Sequence, residues 1–312
     1  MRPFRKVTRY AVARDGTRIA WHTFLGDSDA GEAALRDRPA VLLSNGIGTT
    51  ENFWRYLVEA LREDHRVVLW DYRGHHASDL SQSGAYGFDT QVSDLELVTR
   101  EAMAGCDGEP PIHIGFSMGV PVLLGLYRRA PLLVRAMVLV AGAPDFPGAG
   151  TLLFRLPGVV RGLRAGMEKL TPHVPRLAPW VHRVMASPLL YPAGRISGVL
   201  RRNAPREDVE LFMRELCRMD PMAYWETLKG LMAVDVSPVL PTVKVPTLIV
   251  SPARDVLVAA SQVERMRRAL PRAEYLRLED AGHAGLLEAG SEVAGAVHAF
   301  VHRAGRARQE TS

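Results

Sequence analysis

The pentapeptide Gly115-Phe116-Ser117-Met118-Gly119 follows directly on the apolar run Pro111-Ile112-His113-Ile114 and leads into a helix signal over residues 120–127. A G-x-S-x-G sequence in that setting constrains the chain more than any other stretch, because it calls for a strand that turns at once into a helix. Glycines flanking the serine let the backbone turn sharply and pack closely. The serine then stands at the tip of the turn with its hydroxyl free. The Met118 amide opens the helix, where unpaired N–H groups and the helix dipole favour an anion.

A serine hydroxyl is a weak nucleophile at neutral pH. It needs a base, and the base needs an orienting acid. The candidate base is His283, in Glu279-Asp280-Ala281-Gly282-His283-Ala284-Gly285, just past the strand-like run 274–278. The candidate acid is Asp255, where the β-branched run that starts at Val245 ends in a turn. Asp145, behind the sixth predicted strand, is a second candidate acid. The chain order serine, acid, histidine differs from the orders of the two other large serine hydrolase folds. Each member follows a predicted strand, so all three are expected at the carboxyl edge of one sheet.

With these residues in that order, the chain resembles the α/β-hydrolase fold superfamily, in its serine esterase-like branch, over residues 7–303. Leu42-Leu43-Ser44-Asn45-Gly46-Ile47-Gly48 is similar to that family's oxyanion loop, and Asp71-Tyr72-Arg73-Gly74-His75-His76-Ala77-Ser78-Asp79 to its D-x-R-G-H-G-x-S segment. Three positions depart from the family pattern. Asn45 stands where histidine is usual, His76 where a glycine is, and Pro252 where a glycine usually precedes the acid by three residues. The resemblance implies that the backbone amides of Ile47 and Met118 form an oxyanion hole, that His75 bonds loop backbone, that Arg73 holds loops near the site, and that no cofactor is needed. It also implies a helical cap (lid) over residues 144–240, inserted into a core made of residues 1–143 and 241–312.

Residues 144–240 have no strong strand signal. Prolines such as Pro157, Pro172, Pro175, Pro179, Pro188 and Pro192 break the stretch into short helices and turns. Its apolar residues, Phe154 among them, are expected to pack the cap onto the core, and Trp180, Met185, Phe212, Met222 and Trp225 to line a substrate pocket. Outside the cap, strands are expected over residues 6–13, 17–24, 40–43, 66–70, 111–114, 135–141, 245–250 and 274–278. The first two form a hairpin on Asp15-Gly16. Helices are expected over 50–62, 90–104, 120–127, 260–270 and 292–303, and a frayed polar tail over 304–312. The fold class is therefore α/β, with a mainly parallel central sheet of about eight strands and helices on both faces.

At 312 residues and 47% hydrophobic content the chain can bury a large core. No apolar run of about 18 residues exists, so no stable membrane insertion is expected. The basic start Met1-Arg2-Pro3-Phe4-Arg5-Lys6 has no apolar stretch behind it, which points away from a secretory signal and towards the cytoplasm. Cys106 and Cys217 read as reduced packing residues. His22, His65, His113, His173, His182, His298 and His302 show neither H-E-x-x-H nor C-x-x-C spacing, so no metal is implied. Ten basic residues face two acidic ones between Pro144 and Arg206, against a net charge of +5 for the whole chain. Such a cap can draw in anionic substrates or touch an anionic surface. No nucleic-acid motif accompanies the charge.

The expected activity is cleavage of carboxylic esters of small to medium apolar acyl groups, with a small-molecule ester as the partner. The same triad would serve C–C bond, lactone or thioester hydrolysis. A non-catalytic ligand-binding protein of the same fold is the alternative from another class.

Overall fold

The computed structural model describes residues 4–29, 31–35, 37–104, 108–146, 158–185, 187, 189–196, 200–201 and 203–306. Cys106, Phe154, Pro157, Pro188 and the tail beyond residue 306 lie outside the described residues. Among the described residues the eight strands are β1 (Lys6–Val12), β2 (Arg18–Phe24), β3 (Ala40–Ser44), β4 (Arg66–Trp70), β5 (Ile112–Phe116), β6 (Ala136–Val140), β7 (Thr247–Pro252) and β8 (Glu274–Leu278). They form one sheet in the order β1-β2-β4-β3-β5-β6-β7-β8. The β1–β2 hairpin and the β2–β4 pairing are antiparallel, and every other pairing is parallel.

Alternation along the central strands divides the core in two. Leu42, Val68, Trp70, Met137, Leu139 and Ile249 face one side, while Val41, Leu43, Val67, Leu69, Ile114, Val138 and Val250 face the other. A strand apolar on both faces must be covered on both. The first face is covered by α2 (Phe88–Ala104), α3 (Gly119–Arg129) and α9 (Ala260–Ala269). The second is covered by α1 (Arg55–Leu61), the short α10 (Gly285–Glu288) and α11 (Gly290–Arg306). The helix expected over residues 50–62 opens as a 3₁₀ turn, Glu51–Trp54, before α1 begins. The helix expected from residue 90 begins two residues earlier, at Phe88.

Between β6 and β7 the alternation stops, and the described chain folds into helices α4 (Val159–Leu170), α5 (Val174–Met185), α6 (Leu190–Ile196), α7 (Arg206–Arg218) and α8 (Pro221–Leu231). Proline chemistry shapes the last of these. Pro221 occupies the first turn, where its missing N–H costs nothing, and the Asp220 side chain accepts from Ala223 N at 2.8 Å. The helical segment is tied to the core at several points. Asn52 Nδ2 donates to the Asp208 carbonyl at 3.1 Å, Arg55 pairs with the Asp208 carboxylate at 2.9 Å, and Ala223 packs on Gly74.

Three buried histidines give the fold a pH dependence. His65, His75 and His113 lie 4%, 2% and 0% exposed. Burial pushes each imidazole down to about 4; the charges of His302 and His298 add to this at His65. His75 Nδ1–H donates to the Arg73 carbonyl and His113 Nε2–H to that of Leu133, as neutral rings. In the unfolded chain an imidazole takes its proton near pH 6.5. The unfolded state therefore binds protons that the fold refuses, and stability falls as pH drops from 6.5 to 4. A shift of this size corresponds to at most about 3 kcal/mol per residue. The urea midpoint is expected to fall steadily across that window, and a flat midpoint would refute this account.

Candidate active site

Ser117 sits between β5 and α3 with φ +52°, a left-handed conformation that costs a non-glycine residue about 1 kcal/mol or more. Ser117 N donates to Val140 O and Val120 N to Ser117 O, both at 3.0 Å, which holds the turn in place. The neighbouring glycines are required by space. A Cβ on Gly115 would come within 2.6 Å of Gly119 O, and one on Gly119 would overlap the Ser44 carbonyl oxygen. Gly119→Ala is thus expected to destabilise the protein by about 3 kcal/mol, because both clashing partners are backbone. Gly295→Ala, at an exposed position of α11 with open space around it, is expected to add about 0.5–1 kcal/mol. Paired urea melts check both signs.

Parallel register brings the remaining parts to the same edge. Pairing of Ser44 with Gly115 sets the loop after β3 beside the serine turn. Pairing of Pro252 with Leu278 sets the loops after β7 and β8 side by side. His283 Nε2 lies 3.0 Å from Ser117 Oγ, and His283 Nδ1 lies 2.9 Å from Asp255 Oδ2. Asp255 Oδ1 accepts from the backbone amides of Leu257 and Val258 at 2.8 and 3.0 Å, so the whole carboxylate is oriented. Asp145 is engaged elsewhere, by Gln262 Nε2 at 2.8 Å and Arg265 at 2.6 Å.

The amides of Ile47 and Met118 donate to no other group among the described residues. Their loop is braced by the residue that departs from the family pattern. Asn45 Oδ1 accepts from Trp54 Nε1 at 2.7 Å and Thr49 Oγ1 at 3.2 Å, and the Asn45 carbonyl accepts from the Tyr72 hydroxyl at 2.8 Å. His76, at φ +44°, hydrogen-bonds Thr49 O through Nε2 at 2.8 Å, which joins the two motif loops. His75 bonds loop backbone, as the resemblance implies. Arg73 grips Asp94 with two bonds of 2.7 and 2.8 Å and also reaches Asp15 at 2.9 Å.

Glu288 is a residue the sequence reading missed. It is buried, accepts from the amide of Gly282 directly before His283, and accepts from Arg201 N of the helical segment at 2.9 Å. An acid five residues past the candidate base, on an otherwise apolar stretch, was the available signal.

A cavity of about 340 Å³ lies among α4, α5, α7 and α8. Its walls include Met185 and Trp225, and three others of them, Leu216, Met219 and Tyr224, crowd Gly48 in the oxyanion loop. Gly46 in the same loop packs against the Ser117 side chain, so that loop stands between the cavity walls and the serine. Phe212 is not among its walls and packs on Phe53 (centroids 5.4 Å), which packs on Phe116 beside the serine (5.7 Å). Met222 is half-buried and also not a wall. Trp180 corrects the expectation outright. It is 66% exposed, because α5 turns Leu177 and Val181 to the cavity and leaves the intervening tryptophan outside.

A family model described as the alpha/beta hydrolase fold matches residues 39–290. A putative carbamate hydrolase RutD from Stutzerimonas stutzeri is 27% identical over 250 residues, covering 80% of this chain and 86% of that protein. Among solved structures, the enol-lactonase from Burkholderia xenovorans superposes with a TM-score of 0.69 at 19% identity, over 94% of this chain and 100% of that one. The esterase from Exiguobacterium antarcticum gives 0.72 at 18% identity, over 95% and 100%. At those identities the two structures speak to the fold alone.

Proposed function

Because this chain belongs to the α/β-hydrolase fold family, we propose that it is a serine hydrolase cleaving carboxylic esters of small to medium apolar acyl groups. The observation that carries the proposal is the unbroken chain Ser117 Oγ, His283 Nε2, His283 Nδ1, Asp255 Oδ2, with contacts of 3.0 and 2.9 Å. Its geometry fits a nucleophile, a general base and an orienting acid.

His283 Nε2 takes the Ser117 proton as Oγ attacks the ester carbonyl. The resulting oxyanion is received by the amides of Ile47 and Met118, each such donor being worth about 3 kcal/mol. His283 then passes the proton to the leaving alcohol, and an acyl-Ser117 remains. Water, deprotonated by His283, attacks that acyl group, and the proton returns to Ser117 as the acid departs. Asp255 holds the ring with Nδ1–H towards itself and stabilises the imidazolium formed in each half. What supports an apolar acyl group is the cavity beside the oxyanion loop, whose walls are mostly aliphatic and aromatic side chains.

The test uses p-nitrophenyl esters from acetate to octanoate, with thioester, lactone and carbamate substrates in parallel, and a fluorophosphonate probe. Turnover that is highest among the esters, with one adduct on the peptide containing Ser117, is the expected result. Ester turnover without labelling of Ser117 would overturn the mechanism. Tight ligand binding with neither labelling nor turnover would favour the non-catalytic alternative.

A further inference from the structure

Helices α4 and α5 carry an apolar face that the described chain leaves uncovered. On α5, Leu177, Trp180, Val181 and Val184 follow the i, i+3, i+4, i+7 spacing of one helix face, and all four are exposed. Leu163 and Leu170 on α4, Leu189 beside α6 and Ile196 at its end are exposed as well. The same three helices bear Arg161, Arg164, Lys169, Arg176, Arg183 and Arg195, all exposed, and none of them forms an ion pair among the described residues. Arginines of the core behave differently: Arg38, Arg62, Arg73, Arg265 and Arg303 are all paired. The single acid of the stretch, Glu168, is taken by Lys229 at 3.1 Å.

Unpaired cations beside an exposed apolar stripe with a tryptophan match an anionic lipid surface, which supplies both the charge and the apolar medium. The face is continuous with the cavity, since Leu170, Leu177 and Val181 are both exposed and cavity walls. We propose that the α4–α5 face docks on anionic membrane surfaces.

The experiment uses Ser117→Ala protein, so that docking is read without turnover, and vesicles of phosphatidylcholine with or without one-third phosphatidylglycerol. Sedimentation with the anionic vesicles only, weakening with salt, and a blue shift of tryptophan emission are expected. Each cation reversed costs about 1 kcal/mol or more, near fivefold, so Arg176→Glu/Arg183→Glu is expected to weaken binding at least about 25-fold. Trp180→Ala, at an exposed site, is expected to abolish most of the emission shift. Equal sedimentation with both vesicles, or none with either, overturns the proposal. So does a concentration-dependent dimer that Trp180→Glu dissociates, which would make a second copy the occupant.

At the opposite end of the sheet a different cluster stands by itself. His298 and His302 lie one turn apart on α11, with Nε2 atoms 3.1 Å from each other and each 3.9 Å from Asp64 Oδ2, in the turn before β4. The His65 ring packs edge-on against His302 from the buried side, centroids 5.3 Å apart. Ligand atoms about 2.0–2.2 Å from a tetrahedral Zn²⁺ stand roughly 3.3–3.5 Å from one another, close to these spacings. The sequence reading set both histidines aside for want of an H-E-x-x-H motif, although H-x-x-x-H has the same helical spacing and the third donor is distant in the chain. We infer that Asp64, His298 and His302 form a Zn²⁺-class site that pins α11 to the core.

Titration calorimetry of tag-free, chelator-treated protein with ZnCl₂ is expected to give one ion per chain. His298→Ala and Asp64→Ala are expected to weaken it about 100-fold, while His283→Ala keeps it. A hundredfold excess over Kd is expected to raise Tm by about 5 °C. No heat of binding, or the same titration in wild type and His298→Ala, overturns the site.

Discussion

Ser117→Ala is expected to lower kcat on the best ester by about 10⁴- to 10⁶-fold and to leave KM within a few-fold. Removing Oγ takes away the hydroxyl oxygen that stands 3.0 Å from His283 Nε2 and would become bonded to the acyl carbon. The cavity walls and the Ile47 and Met118 amides are untouched, so binding and part of the oxyanion stabilisation survive. A residual rate above the solution reaction is therefore part of the expectation. The same position offers a stability readout. Ser117 is held at φ +52°, so Ser117→Gly is expected to raise stability by about 1 kcal/mol while abolishing activity. Steady-state kinetics with urea melts on the three proteins checks both halves. Unchanged kcat in Ser117→Ala would remove Ser117 from the chemistry.

The parts of the site legible in the sequence are those fixed by backbone constraint. Ser117 needs flanking glycines because backbone atoms of Gly119 and Ser44 leave no room for a Cβ, and that need is written as G-x-S-x-G. Asp255 follows the fully buried β7, whose β-branched run is plain in the sequence, and His283 follows the edge strand β8, of which only Leu278 is buried. The loop substitutions were legible as departures but not as contacts. Asn45 works because Trp54 and Thr49 supply donors to its side-chain oxygen, and neither partnership leaves a local pattern.

The helical segment was legible only in kind. Composition says that α5 is apolar enough to pack, but which side of the helix meets the cavity depends on how α5 crosses α7 and α8. Met185 and Trp225 fell on the inner side, while Trp180 did not. Glu288 and the Asp64 cluster escaped for a related reason. Each acts across a loop or between elements distant in the chain, where spacing carries no signal.

Asp255→Asn is expected to lower kcat by about 10⁴-fold with little loss of stability, and Asp145→Asn to change it by less than a few-fold. Both acids follow neighbouring strands, so the pair separates geometry from mere proximity to the sheet edge. Asp255 Oδ2 lies 2.9 Å from His283 Nδ1, while its Oδ1 is fixed by two backbone amides. Those amides keep the asparagine oxygen on their side and turn its NH₂ towards the imidazole. Nδ1 must then accept, the proton moves to Nε2, and the ring can no longer take one from Ser117. Asp145 is spent on Gln262 and Arg265, so its amide analogue weakens only the attachment of α9. Kinetics over pH 6–9 distinguishes the mechanisms, because a wrong tautomer depresses the whole plateau instead of shifting its acid limb. Comparable losses in both variants, or a loss confined to Asp145→Asn, would reassign the acid.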